Sequence, residues 1–252
     1  MAFCSKCGTQ LPDEAGFCNS CGANTASGAP AQGGAPKGFI AEVYTRSLDV
    51  LMKKPILLWG ISLLHGLLVI LAFLFTGFIP LLWLPIILVL ELGMASVFLG
   101  GYRGKAISST QLFEGFSKKF FRNAGGMGWK YLWLLIWLLI PIAGIVFYII
   151  KYYSYRFVPY IMLKEPDITA TDALKKSMAM TKGYRAKMFG ADMLLIAAVV
   201  VLTIVFALIA LIPFLGPILL VIYYILLIVL LPLLIGVLGA AYYDKVEKEN
   251  PM

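Results

Sequence analysis

Two long stretches of this chain run almost without charge, residues 55–101 and 188–243. Each carries a single acidic residue, Glu91 and Asp192 respectively, and no lysine or arginine. A helix needs about 20 apolar residues to cross a bilayer core of about 30 Å, so each stretch is long enough for two spans. Thr76-Gly77-Phe78-Ile79-Pro80 breaks the first, giving spans over roughly 55–76 and 80–101. Pro213-Phe214-Leu215-Gly216-Pro217, with proline at both ends, breaks the second. Composition agrees: 61% of residues are hydrophobic and 13% charged, against roughly 45–50% and about 25% in soluble domains. Too few polar groups exist to coat a compact body in water, and intrinsic disorder needs low hydrophobicity. An all-α polytopic membrane protein is the class these residues dictate.

The middle of the chain admits two readings. Residues 131–150, between Lys130 and Lys151, hold no charge and have Pro141 and Gly144 near their centre. A single kinked span gives five spans in all. It would put residues 102–130 and 151–187 on opposite sides of the membrane, yet both segments are basic. The first carries Arg103, Lys105, Lys118, Lys119, Arg122 and Lys130; the second has Lys151, Arg156, Lys164, Lys175, Lys176, Lys182, Arg185 and Lys187. Positive residues gather on the cytoplasmic side, which favours a hairpin turning at Ile140-Pro141-Ile142-Ala143-Gly144. The hairpin is either re-entrant or nearly full length, from about Phe120 to Leu163. About six membrane helices then form three hairpins, with both termini cytoplasmic in a cell's inner, cytoplasmic membrane. The net charge of +8 is then mainly an orientation signal.

All four cysteines fall before the first apolar stretch: Cys4, Cys7, Cys18 and Cys21. They form two C-x-x-C steps in matching contexts, Phe3-Cys4-Ser5-Lys6-Cys7-Gly8 and Phe17-Cys18-Asn19-Ser20-Cys21-Gly22. Two intervening residues let one turn aim both sulfurs at an ion, and glycine after the second cysteine permits the positive φ that directs N–H groups to the thiolates. Two such knuckles make a four-sulfur site suited to structural Zn²⁺, with no open position for catalysis. A segment this short builds no adequate core, so the metal supplies the folding energy. Disulfides are disfavoured by the knuckle spacing and the absence of a leading signal peptide, and a redox site would need only one pair. Residues 3–22 resemble the short zinc-ribbon heads of many bacterial membrane proteins. The expected organisation is a ribbon over 1–24, a flexible Gly, Ala and Pro-rich linker over 25–38, a helical membrane domain over 39–246 and a cytoplasmic tail over 247–252.

Amphipathic segments lie between the apolar blocks. Over 39–54, Phe39, Val43, Tyr44, Leu48 and Leu51 share one face and Glu42, Arg46, Asp49 and Lys53 the other, which predicts a helix lying on the bilayer. Ser108-Ser109-Thr110-Gln111 has the pattern of a capping box, and Thr169-Ala170-Thr171-Asp172 starts a second cytoplasmic helix that ends at Gly183. In that helix Ala170, Ala173, Leu174, Ser177, Met178 and Thr181 form one stripe. Such helices either rest on anionic headgroups or cap the bundle. The run Ile140-Pro141-Ile142-Ala143-Gly144, Lys151-Tyr152-Tyr153-Ser154-Tyr155-Arg156-Phe157-Val158-Pro159-Tyr160-Ile161, Ala173-Leu174-Lys175-Lys176-Ser177 and Thr181-Lys182-Gly183-Tyr184-Arg185 resembles a bacterial integral-membrane family similar to the membrane domain of some glycerophosphodiester phosphodiesterases. Over roughly 40–245 the resemblance implies about six helices and no activity. The resemblance does not extend to the phosphodiesterase domain.

Glu91, His65 and Lys151 are the candidate intramembrane polar site. A charge inside a span costs a few kcal/mol unless it faces the bundle interior or is neutralised, so contacts of Glu91 with His65 or Lys151 are natural expectations. His65 equally serves as a buried polar link. No catalytic residues are expected: the only histidine lies mid-span, so no Ser-His-Asp set forms, and no glycine-rich loop sits between a strand and a helix. The sequence therefore reads as a non-enzymatic membrane protein whose cytoplasmic zinc head recruits or senses a protein partner, its bundle contacting membrane lipids. The alternative is a small permease or lipid-handling transporter using Glu91 and Lys151. Nucleic acid is the least expected partner, because Lys6 is the only basic residue of the ribbon.

Overall fold

A computed structural model describes residues 2–3, 10–11, 38–53, 55–76, 83–117 and 119–250. The chain divides into two units, residues 1–37 and 38–252. In the first, β1 (Ala2–Phe3) pairs antiparallel with β2 (Gln10–Leu11), with Ala2 opposite Leu11 and Phe3 opposite Gln10. These strands flank the first C-x-x-C in sequence. Cys4, Cys7, Cys18 and Cys21 themselves lie outside the described residues.

The second unit is helical: α1 (Phe39–Lys53), α2 (Pro55–Thr76), α3 (Trp83–Tyr102), a 3-10 turn (Ser109–Phe113), α4 (Glu114–Ser117) and α5 (Phe120–Leu138), then α6 (Gly144–Ser154), α7 (Val158–Lys164), α8 (Ala170–Met180), α9 (Arg185–Ile209) and α10 (Leu215–Glu249). Among the described residues four helices are long and apolar enough to cross a membrane, α2, α3, α9 and α10. The sequence pattern counts about six. The two that fall short belong to the middle block: α5 spends its first half on Arg122, Gly125, Gly126, Gly128 and Lys130, and α6 is only 11 residues long, about half a bilayer crossing.

Between them the chain reverses. Trp137 of α5 packs at a tilt against Phe147 of α6, ring centroids 5.7 Å apart, and donates its indole N–H to Tyr155 at 3.2 Å. The turn from α9 to α10 is built the same way. Ile140-Pro141-Ile142-Ala143-Gly144 and Ile212-Pro213-Phe214-Leu215-Gly216 are both Ile-Pro-X-X-Gly. Ile142 and Phe214 have φ of 65° and 63°, and the following amide bonds back to the proline carbonyl at 2.7 and 2.8 Å. Phe214, with ψ of −54°, is a classical three-residue γ-turn, a strained form for a side-chain-bearing residue. Glycine is required after it, since a Cβ at Gly144 or Gly216 would sit 2.4 Å from the carbonyl oxygen of Leu138 or Ile209. Pro217 does not close the turn as the sequence suggested; it lies in the first turn of α10, where its missing N–H costs nothing.

The core gathers around α3, α7 and the second half of α10, where Val97, Phe157, Val158, Val237, Leu238 and Tyr242 are buried. The other ends of the long helices expose their apolar residues, among them Phe75, Leu202, Ile218 and Ile225. That pattern suits a non-aqueous solvent. Helix α1 is amphipathic, but its buried face differs from the one expected. Val43 and Ser47 are buried, whereas Leu48 is 51% exposed. The face follows the i, i+4 step from Val43 to Ser47, which a hydrophobicity count passes over because serine is polar. The helix packs on α9 and α10 through Tyr44, whose hydroxyl donates to the Ala191 carbonyl at 2.8 Å, and Phe39, stacked 5.9 Å from Tyr242.

The capping box at Ser108 does not form: its side chain makes no cap hydrogen bond and engages the Thr110 hydroxyl instead. A 3-10 turn and a single turn of α-helix follow, rather than one longer helix. At α8 the cap does form, with Thr169 Oγ1 accepting from the Asp172 amide at 3.1 Å. Its buried residues include Ala173, Leu174 and Ser177. Ser177 donates to the Ser154 carbonyl at 2.7 Å, so α8 caps the bundle. Helix α10 runs to Glu249, through the boundary expected at 246. Glu247 is tied into the fold, accepting from Lys164 at 2.8 Å, from Tyr243 at 3.0 Å and from Arg103.

Candidate functional site

Glu91 sits in the middle of α3, facing α5. Lys130 Nζ donates to its Oε1 at 3.1 Å, and the Tyr131 hydroxyl lies 2.7 Å from both carboxylate oxygens. Adjacent helix residues diverge by about 100°, so Lys130 and Tyr131 straddle the carboxylate. The ammonium also lies 4.2 Å from the Tyr131 ring centroid. The Lys130 side chain is 9% exposed and that of Glu91 36%. A carboxylate in an apolar helix is thereby neutralised and hydrogen-bonded, which is what burial demands.

The expected partners of Glu91 are elsewhere. Lys151 lies over the Trp137 ring at 4.6 Å and reaches the Met178 sulfur at 3.8 Å. The Nε2 of His65 is buried and has no hydrogen-bond partner among the described residues. Of the three intramembrane candidates, only Glu91 joins a polar cluster among the described residues. A nearly full-length middle hairpin already implies that Lys130 and Arg156 snorkel or line a polar cavity, but Lys130 is not among the partners expected of Glu91, because it reads as the last basic residue before an apolar run. Its usable signal is position: a lone lysine eleven residues into α5 (Phe120–Leu138) is already half a span deep and needs an acid.

A second cluster joins the α6–α7 break to α9 and α10. Arg156, in the three residues between α6 and α7, forms an ion pair with Asp192. The same carboxylate accepts from Tyr153 at 3.0 Å and Tyr242 at 2.9 Å. The guanidinium carbon also lies 4.8 Å from the centroid of the Tyr242 ring, a cation–π contact that suits a nearly buried arginine. The Tyr-rich stretch thus surrounds Arg156, bracing a break in a helical arm.

The two clusters meet at a cavity of about 450 Å³ between α3, α5, α6, α7 and α10. Glu91, Lys130, Tyr131 and Arg156 supply its polar side, and Met94, Phe98, Leu134 and Ile235 much of its apolar side. Pro232, within α10, also lines it. Proline there removes one helix hydrogen bond, which leaves a backbone carbonyl without its donor. Volume, apolar walls and a few convergent polar groups make this a ligand-sized site. A separate cluster secures the loop after α7: Arg122 donates to the carbonyls of Met162, Glu165 and Ile168 at 3.2, 2.8 and 3.1 Å. The hydrogen bond from Lys119 holds the nearby Asp167 carboxyl below its usual range. Among the described residues no three His, Cys, Asp or Glu side chains converge as metal ligands.

Residues 3–25 match the zinc-ribbon domain family. The chain therefore carries an N-terminal zinc-ribbon domain, and the match spans Cys4, Cys7, Cys18 and Cys21. No curated protein and no solved structure matches the chain.

Proposed function

We propose that this chain is a non-enzymatic component of the cytoplasmic membrane whose zinc-ribbon head recruits a cytoplasmic protein partner. The carrying observation is the joining of a zinc-ribbon domain at 3–25 to a unit with four helices apolar enough to cross a bilayer. Two C-x-x-C steps supply the four thiolates a structural Zn²⁺ takes, and such an ion stabilises a docking module without doing chemistry. The ribbon's single basic residue, Lys6, argues for a protein partner over nucleic acid.

The α5–α6 pair serves as the third membrane hairpin. Support comes from its turn, which repeats the Ile-Pro-X-X-Gly sequence and positive φ of the α9–α10 turn. The Ile142 side chain at its tip is fully exposed, as suits a lipid-facing position. Both termini and the basic segments then lie in the cytoplasm. The test compares the full chain with one lacking residues 1–38, each captured from detergent-solubilised membranes. Protein partners retained by the full chain should be lost on deletion while the bundle still fractionates with membranes. Identical partners for both forms would sink the adaptor reading.

A specific observation favours a second reading, a lipid-handling membrane protein. The cavity beside Glu91, Lys130 and Arg156 is lined by a broken helical arm, α6–α7, and by Pro232 of α10. Interrupted helices around midplane polar groups are how transporters build binding sites.

A further inference from the structure

The cavity has an imbalance of hydrogen-bonding groups. Its acid already has donors: the single O–H of Tyr131 is shared between both Glu91 oxygens, and Lys130 donates to one of them. Asp192, behind Arg156, accepts from Arg156, Tyr153 and Tyr242. The donors are not used up. Lys130 has three N–H groups and Arg156 five, and their hydrogen bonds among the described residues are one each, to Glu91 and Asp192. Tyr155 accepts from Trp137, which leaves its O–H free to donate. The hydroxyls of Tyr152 and Tyr160 have no partner among the described residues. All five residues line the cavity.

Spare donors, two of them cationic, in a site with apolar walls call for an anionic, oxygen-rich ligand with an apolar extension. We propose that this cavity binds the phosphate-bearing head of a membrane phospholipid. The inference rests on the membrane reading of the bundle. The phosphate oxygens would accept from Lys130, Arg156 and the tyrosines. The first carbons of the lipid would lie along Phe98 and Leu134. At about 450 Å³ the cavity has the size of a small-ligand pocket, so the tails leave through the mouth. There Ile235, Tyr131 and Tyr152 are each about 40% exposed. A lipid rather than a soluble anion is the occupant because the helices forming that mouth carry apolar residues toward the surroundings, Ile228 of α10 at 72% exposure among them.

The experiment is native mass spectrometry of the full chain, stripped of lipid in detergent and then offered one of three probes. These are dioleoyl-phosphatidylglycerol, dioleoylglycerol with the same tails and no phosphate, and inorganic phosphate. One phosphatidylglycerol should be retained per chain, and neither of the other probes should bind or displace it. The triple variant Tyr152→Phe, Tyr155→Phe, Tyr160→Phe keeps the cavity's shape and should weaken retention about tenfold or more, as loss of bonds to a charged group implies. Ile235→Trp, which narrows the mouth and leaves every donor in place, should do the same. Equal retention of dioleoylglycerol, displacement by phosphate, or unchanged binding in both variants would overturn the proposal. Alkaline carbonate extraction separates the underlying reading: a chain washed from membranes overturns the membrane assignment, whereas one that stays but retains no phosphatidylglycerol overturns the site alone.

Discussion

Ile142 and Phe214 occupy equivalent places in two turns. Each follows proline, has φ near +65° and precedes by two residues a glycine packed against the carbonyl of the preceding helical segment. Each also exposes its apolar side chain fully or nearly so, Phe214 at 91%. A strained backbone that projects isoleucine or phenylalanine into water would be penalised twice. In the lipid headgroup region the same side chains lower the energy.

Equivalence of the turns predicts that they emerge on the same side of the membrane. Cysteines at Ile142 and Phe214 should react with a membrane-impermeant maleimide added to intact cells. Cysteines at Thr171 and Lys182, both exposed on or beside α8, should react only after the membrane is opened. Ser154 is fully buried, so a cysteine there would report packing rather than sidedness. Outside labelling at Thr171 would instead mean that the middle block crosses once.

Gly144 and Gly216 should be intolerant of even one methyl group. A Cβ at either would lie 2.4 Å from a backbone carbonyl oxygen, a clash that no side-chain rotation relieves. Gly144→Ala and Gly216→Ala should each destabilise by about 1–3 kcal/mol, the usual cost of forced backbone shifts. Gly60→Ala is the control, because a Cβ there meets nothing within 4 Å and alanine favours the helix. Thermal melts in detergent should rank Gly60→Ala at or above the parent and both turn variants below it.

The parts of the fold most legible in the sequence were those governed by one-dimensional signals. The four long helices follow from apolar run length, the α8 start from Thr169 and the ribbon from cysteine spacing; α8 itself ends at Met180 with Thr181 as its cap, and Gly183, with φ of 86°, sits in the turn that follows. What could not be read depended on which helix meets which. Glu91 was visible as a costly charge, but pairing with Lys130 requires that α3 pack on α5, and nothing local encodes that neighbour. Lys151 looked equally plausible until Trp137 and Met178 were placed beside it. The repeat of Ile-Pro-X-X-Gly was legible in principle. It was obscured because Pro217 offers a second proline that frames the wrong five residues.

Zinc should bind only at the head. Metal analysis of the purified chain is expected to give one Zn²⁺ per chain, and Cys4→Ser or Cys18→Ser should abolish stable retention by removing a thiolate from a four-sulfur set. Because the ribbon and the bundle are separate units, stripping the metal with a chelator should leave the bundle's melting temperature unchanged. Zinc content that persists after loss of two cysteines would show that the ion is held elsewhere.

Lys130 and Glu91 should behave as a coupled pair. Lys130→Met leaves Glu91 in an apolar helix with Tyr131 as its only donor among the described residues. Removing one partner of a fully buried pair costs about 3–5 kcal/mol. Here the cost should be nearer 2 kcal/mol, because the Glu91 side chain keeps 36% exposure and is partly screened. At this chain length about 2 kcal/mol lowers the apparent melting temperature by roughly 4–8 °C. Glu91→Gln should cost at least as much, since the ammonium it leaves without a counter-charge, that of Lys130, is only 9% exposed. The double variant Glu91→Gln, Lys130→Met removes both charges and should recover much of the loss, because no uncompensated ion remains. A double variant as unstable as the sum of the singles would mean that the 3.1 Å contact carries no coupling. The two charges would then be held independently, by Tyr131 on one side and the cavity on the other.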